Sequence, residues 1–320
     1  MLLSCLLFAL GLVLLIFGGD FFVDASTNIA KRLHVPDLLI GATVVSIGTT
    51  LPEVMVSATG ALEGHSQIAY GNAIGSIICN TALICAITIA FKPAKVTKKS
   101  LYLPVTFFFV AAAYYIFGAF NDGYFTRNEG LVLLFMFIAY MVLQIKSALN
   151  VNNNINEEEE KVDNKMLKDV FLLILGATTI AFGARLLVDN GTIIAKNLGV
   201  PESVIALTFV ALGTSLPELV TAITSLLKGH GLLSLGNIIG ANLFNLVLVS
   251  GVAITLNPFM VPKDKTIMGM NASFVIDIPL MLIVMLILTL PPLIKGKLYR
   301  WQGILLLALY AGYCFFQFAM

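Results

Sequence analysis

Charge is what this sequence has least of. Only 12% of its 320 residues are Asp, Glu, Lys or Arg, against about 25% in a soluble domain. So few charges cannot coat a water-facing surface of that size, which excludes an ordinary soluble globular protein. The net charge is +1 and no basic patch is present, which argues against a nucleic-acid partner. The three histidines and four cysteines are equally uninformative about soft metals. Cys5, Cys79, Cys85 and Cys314 all lie in apolar segments, with no CxxC spacing and no neighbouring histidine. This makes a thiolate metal site or a disulfide framework a weak reading.

What remains is apolar: 58% hydrophobic residues and a mean hydropathy of +0.95. Apolar stretches run roughly over residues 2–22, 36–62, 67–91, 101–120 and 129–147, then 169–188, 201–227, 232–257, 270–292 and 301–318. Most reach the roughly 18 residues that mark a membrane-spanning helix. The first resembles a signal peptide in its apolarity. It lacks a basic leader and runs into Gly18-Gly19-Asp20 without a convincing cleavage site, so it reads as a retained span. The expected fold is an all-α polytopic membrane protein with ten transmembrane helices, five on each side of one polar segment. That segment carries Asn152 to Asn154 and the run Glu157 to Glu160, and reads as a solvated loop.

The two halves are copies of one another at a shift of 165 residues (218 − 53). Gly48-Thr49-Thr50-Leu51-Pro52-Glu53 meets Gly213-Thr214-Ser215-Leu216-Pro217-Glu218, and Gly71-Asn72-Ala73-Ile74-Gly75 meets Gly236-Asn237-Ile238-Ile239-Gly240. Asn80 meets Asn245, Val35-Pro36 meets Val200-Pro201, and Pro93 meets Pro258. An odd number of spans per copy makes the second enter the membrane from the opposite side. Such inverted repeats are the architecture of many secondary transporters, whose ion sites lie at the repeat interface near the midplane. The organisation expected is a first repeat over 1–148, a cytoplasmic linker over 149–168 and a second repeat over 169–320. Loops after the odd-numbered spans, with the linker, hold 14 of the 19 Lys and Arg residues. By the positive-inside rule those loops are cytoplasmic and both termini lie outside.

Glu53 and Glu218 fall in the middle of apolar spans at equivalent positions. A carboxylate at helix centre costs about 2.5–3.5 kcal/mol on insertion scales, so a duplicated one points to function. Residues three and four positions apart share a helix face, which puts Thr49 and Thr50 with Glu53, and Thr214 and Ser215 with Glu218. Pro52 and Pro217 cannot donate to the carbonyls of Gly48 and Gly213. Backbone oxygens from Ser46 to Thr49 and from Ala211 to Thr214 are thereby freed to face a site. The following span adds Asn72, Ser76 and Asn80 in one half and Asn237, Ala241 and Asn245 in the other. Every one of these donors is a hard oxygen. Such a set suits calcium, which takes 6–8 oxygens, and sodium accepts the same ligands. Zinc and copper do not fit it. Two carboxylates neutralise one divalent ion. His65 and His230 read as loop residues, while Asp20 and, more so, Asp277 stand out as further acids within or near spans.

These paired motifs, Gly48 to Glu53 with Gly71 to Asn80 and Gly213 to Glu218 with Gly236 to Asn245, resemble the two α-repeats of the sodium/calcium exchanger family, within the calcium/cation antiporter group. The ten-span pattern extends the resemblance over essentially the whole chain, and the short linker resembles the bacterial and archaeal members. The resemblance implies an antiporter of the prokaryotic cytoplasmic membrane that exchanges Ca2+ for Na+ by alternating access. It implies calcium held by Glu53 and Glu218 with the carbonyls of Thr49 and Thr214. It implies sodium sites using Ser46, Thr49, Thr50, Ser76, Ala211, Thr214 and Ser215, with Asn80 and Asn245 completing the polar ring. Its partners are then Ca2+, Na+ and the lipid bilayer, with no enzymatic activity, no cofactor and no obligate protein partner. Many exchangers carry Asp where this chain has Asn245 and Ser where it has Ala241. Losing one acid and one hydroxyl leaves proton or potassium coupling open as alternatives on the same scaffold. A cation channel is the alternative of another class, although a channel filter usually needs an oligomeric ring.

Overall fold

A computed structural model of the chain describes residues 2–152, 164–198, 213–262, 266–267 and 269–319. Long helices dominate them: α1 (Leu2–Arg32), α2 (Asp37–Leu62), α3 (Ser66–Phe91), α4 (Lys98–Asn121), α5 (Arg127–Asn152), α6 (Asn164–Asn197), α7 (Leu216–Leu227), α8 (Gly231–Leu256), α9 (Ser273–Lys295) and α10 (Arg300–Ala319). Eight of these, α1 to α6 with α8 and α9, are long and apolar enough to cross a membrane. At about 1.5 Å per residue even a 20-residue helix spans some 30 Å. The expected span over 201–227 is described only from Gly213 onward, and the expected linker falls mainly on residues 153–163, outside the described set. Large apolar side chains such as Phe17, Phe117, Phe135, Phe171 and Phe315 point outward. Hydrocarbon solvates such a surface; water does not.

Among the described residues, regular α-helix gives way to π-turns inside four spans: Gly41–Val45 in α2, Asn80–Cys85 in α3, Asn245–Val249 in α8 and Ser273–Asp277 in α9. A π-turn widens the helix by one residue and leaves a carbonyl poorly bonded, so it recurs at functional sites. Two hydroxyls five residues downstream make good that loss here. Ser46 Oγ donates to Gly41 O at 2.7 Å, and Ser250 Oγ donates to Asn245 O at 3.0 Å. The π-turns of α3 and α8 begin at Asn80 and Asn245, which the repeat aligns with each other.

Two crossings place the centre of the molecule. Where α2 crosses α8, the backbones nearly touch: a Cβ on Gly236 would collide with the Leu38 carbonyl, one on Gly41 with the Leu233 carbonyl, and one on Gly240 would sit 2.7 Å from Ala42 Cα. Small residues are the usual means of such approach inside membranes. Antiparallel to each other, α1 and α6 pack through glycines. A Cβ on Gly11 would lie 2.8 Å from Gly183 O, and one on Gly18 would lie 3.2 Å from Gly176 O. Gly11 and Gly176 are repeat equivalents, as are Gly18 and Gly183, so this contact maps onto itself when the repeats are exchanged.

The loops are tied in two places. Tyr124–Phe125 (β1), after α4, pairs antiparallel with Phe259–Met260 (β2), after α8. Lys95, after α3, bridges Lys297, after α9, with Val96 N donating to Gly296 O and Leu298 N to Ala94 O, both at 2.9 Å.

Candidate functional site

Glu53 sits inside α2 and Glu218 in the first turn of α7, and both are fully buried. Among the described residues, none of their four carboxylate oxygens has a hydrogen-bond partner. A buried carboxylate left this way is costly unless a cation or proton meets it. α7 packs against α2, which brings the two acid-bearing segments together. Pro52 lies within a continuous α2, whereas the described part of the second copy opens α7 at Leu216, with Pro217 in its first turn and Thr214 and Ser215 in a turn before it.

Around the acids the two halves are cross-linked in matching pairs. Thr49 Oγ1 donates to Asn237 Oδ1 at 3.1 Å, and its equivalent Thr214 Oγ1 donates to Asn72 Oδ1 at 3.2 Å. Asn72 Nδ2 in turn donates to Glu53 O at 3.0 Å and to Ser57 Oγ at 2.9 Å. Ser46 Oγ also reaches Asn237 O at 3.0 Å. Ser215 Oγ approaches Ser76 Oγ at 3.5 Å. The equivalent of that last pair is Thr50 with Ala241, and an alanine has no hydroxyl to offer. Thr50 Oγ1 is accordingly buried without a hydrogen-bond partner among the described residues.

Asn80 and Asn245 are fully buried, and among the described residues neither amide oxygen nor nitrogen of either has a hydrogen-bond partner. The π-turn starting at Asn245 packs against α2, and the one starting at Asn80 packs against α7, so each asparagine belongs to the wall facing the other repeat's acid. Ala211 lies outside the described residues. Among the described residues no three His, Cys, Asp or Glu side chains cluster. Among the described residues, the carboxylates at this interface of the two halves are those of Glu53 and Glu218, and the polar groups around them are neutral.

The fold also places three further residues that the sequence singles out. Asp277 lies away from these acids, on the π-turn of α9, where Tyr313 OH and Gln317 Nε2 approach its Oδ1 at 3.5 and 3.4 Å. Asp20 is ion-paired with Lys228 at 3.1 Å. His230 Nδ1 stands 3.1 Å from Asp37 Oδ2, which ties the α7–α8 loop to the start of α2. All four cysteines are free.

Sequence reading also missed residues. Asn242 is fully buried, with Nδ2 donating to Thr81 Oγ1 at 2.7 Å beside Met285 Sδ at 3.1 Å, and so links α8, α3 and α9. Its repeat equivalent is Ile77, so comparing the halves hides it. Tyr140 OH donates to Ala42 O at 2.9 Å and is backed by Gln144 Nε2 at 2.8 Å. A buried Gln four residues after a Tyr in an apolar span was the available signal.

The chain is similar to known proteins over almost all its length. A family model described as Sodium/calcium exchanger protein matches residues 3–146 and 168–319. An uncharacterized membrane protein of Methanocaldococcus jannaschii is 35% identical over 307 residues, covering 95% of this chain and 94% of the relative. The sodium/calcium exchanger MaX1 of Methanosarcina acetivorans is 31% identical, with 96% of each chain covered. A solved structure of the sodium-calcium exchanger NCX_Mj soaked with Na+ and Sr2+ superposes with a TM-score of 0.82 at 33% identity, covering 97% of each chain.

Proposed function

This chain belongs to the sodium/calcium exchanger protein family, and from that premise we propose that Glu53 and Glu218 hold the transported Ca2+ at the interface of two inverted five-helix repeats. The carbonyls of Thr49 and Thr214 complete its coordination. Na+ competes for the same acids with help from Ser46, Thr49, Thr50, Ser76, Ala211, Thr214 and Ser215. Asn72 and Asn237 brace the threonines, and Asn80 and Asn245 close the ring. The observation that carries this reading is the set of four buried carboxylate oxygens, at repeat-equivalent positions, with no hydrogen-bond partner among the described residues. One divalent ion balances two carboxylates, whereas several monovalent ions would leave excess charge in a poorly screening interior.

Ten spans divide as 1–148 and 169–320 around a cytoplasmic linker over 149–168, with both termini outside. The loop pairings support this arrangement. Loops after α4 and α8 share one side in such a topology, loops after α3 and α9 share the other, and those are the loops that pair. Exchanging the repeats converts one pairing into the other.

In vesicles loaded with Na+, calcium uptake should follow the outward sodium gradient and persist when the pH gradient is dissipated. Uptake that ignores sodium and collapses with the pH gradient would refute the coupling. Ala241→Ser should give Thr50 the partner that Ser215 already has. The half-saturating sodium concentration should fall about five-fold, as for one added oxygen contact of about 1 kcal/mol. A sodium dependence unchanged from wild type would show that this wall does not meet the monovalent ion.

A further inference from the structure

Lys228, at the end of α7, reaches across to α1: its Nζ lies 2.8 Å from Asp24 Oδ1 and 3.1 Å from Asp20 Oδ1. Partial burial works against the ammonium, but the two aspartates outweigh it and raise its pKa above the ordinary lysine value. The pair pins α1 over α7. A Cβ on Gly19 would lie 2.7 Å from Val220 Cγ1, and Thr221 is buried. The equivalent face of α2 is uncovered, with Leu51, Met55 and Val56 all exposed. The structure is therefore asymmetric in how the α1–α6 pair sits against α7 and α2, although the α1–α6 contact is itself symmetric.

Applying the 165-residue shift to the latch makes Lys228 equivalent to Glu63, Asp20 to Arg185 and Asp24 to Asp189. Lys228 and Asp20 both change sign, so that contact stays attractive with its polarity reversed, whereas Asp189 keeps the sign of Asp24 and would repel Glu63. In the structure Glu63 is exposed and makes no ion pair among the described residues, and Arg185 reaches only Asp189, at 3.6 Å along its own helix. Exchanging the conformations of the two repeats keeps the α1–α6 contact and moves the cover from α7 to α2.

We propose that Glu63 and Arg185 pair in the oppositely facing conformation, replacing the Lys228–Asp20/Asp24 pair, so that the two ion pairs alternately latch the two ends of the transport cycle. This rests on the transport reading above. Lys228, Asp20, Asp24, Glu63 and Arg185 are positioning residues and touch no ion.

The test is a charge-swap cycle on sodium-driven calcium uptake: Glu63→Arg, Arg185→Glu and the two together. Each single reversal should slow exchange roughly two- to five-fold, the size of partly exposed pairs. The double swap should restore it, and the single defects should shrink at high ionic strength. In parallel, Glu63→Cys with Arg185→Cys should give a 63–185 disulfide, identified by peptide mapping against the four native cysteines. That bond should halt exchange until it is reduced. Single effects that simply multiply in the double variant, or an active protein yielding no 63–185 bond, overturn the proposal. A wild type that fails to exchange at all overturns the transport reading instead.

Discussion

Glu53→Gln and Glu218→Gln should each lower sodium-driven calcium uptake by roughly two to three orders of magnitude, because each removes half the countercharge of a desolvated divalent ion. Truncating one partner of a buried charge pair costs about 2–5 kcal/mol. The glutamine is nearly isosteric, and neither carboxylate has a hydrogen-bond partner among the described residues, so folding should be unharmed. A monodisperse, normally expressed variant with no uptake is the expected result. The two losses should be similar, since the acids occupy equivalent positions. Near wild-type uptake in either variant would remove that residue from the calcium site and with it the central assignment. Titration adds a second readout. Calcium affinity in detergent should fall as sodium rises at constant ionic strength, because both ions need these carboxylates.

Gly236→Val should abolish the folded transporter itself. Any Cβ at this position runs into the Leu38 carbonyl, with the Leu38 carbonyl carbon and Cα both at 2.9 Å. That obstacle is backbone and cannot turn aside. Overpacking of a close-packed interior costs about 1–3 kcal/mol and occasionally more, and here the strain falls on the α2–α8 crossing that carries Thr49 to Asn237. The thermal midpoint should drop by many degrees, or the monodisperse peak should be lost altogether. Gly312, exposed on α10, is the control: Gly312→Ala should leave the midpoint unchanged or raise it slightly, since alanine favours helix. Equal midpoints for Gly236→Val and wild type would mean that α2 and α8 do not cross this closely.

Much of this was legible in the residues. Two carboxylates buried in apolar spans announce themselves because hydrocarbon does not solvate them. A duplication announces itself because Gly48 to Glu53 and Gly213 to Glu218 repeat without a gap. The hard-oxygen character of the donors follows from their chemistry alone. These features depend on identity and local spacing, which a linear chain carries in full.

Tertiary structure decided who meets whom. The sequence aligns Thr49 with Thr214 and Asn72 with Asn237, yet those equivalents are not partners. The hydrogen bonds run crosswise, from Thr49 to Asn237 and from Thr214 to Asn72. Repetition establishes that two residues occupy like positions in their own copies. Which residues touch depends on how the copies are placed against each other, and that placement is set by backbone contact at Gly236 and Gly240 and by the glycines of α1 and α6. The same reason explains what the residues left open. Asp277 looked suspicious as an acid in an apolar span, but the fold turns it toward Tyr313 and Gln317. Asn242 looked unremarkable because its equivalent is Ile77, but α8 carries it to Thr81 and Met285. Burial cost and residue chemistry are local properties and can be read along the chain; proximity between helices comes from packing, which exists only once the chain has folded.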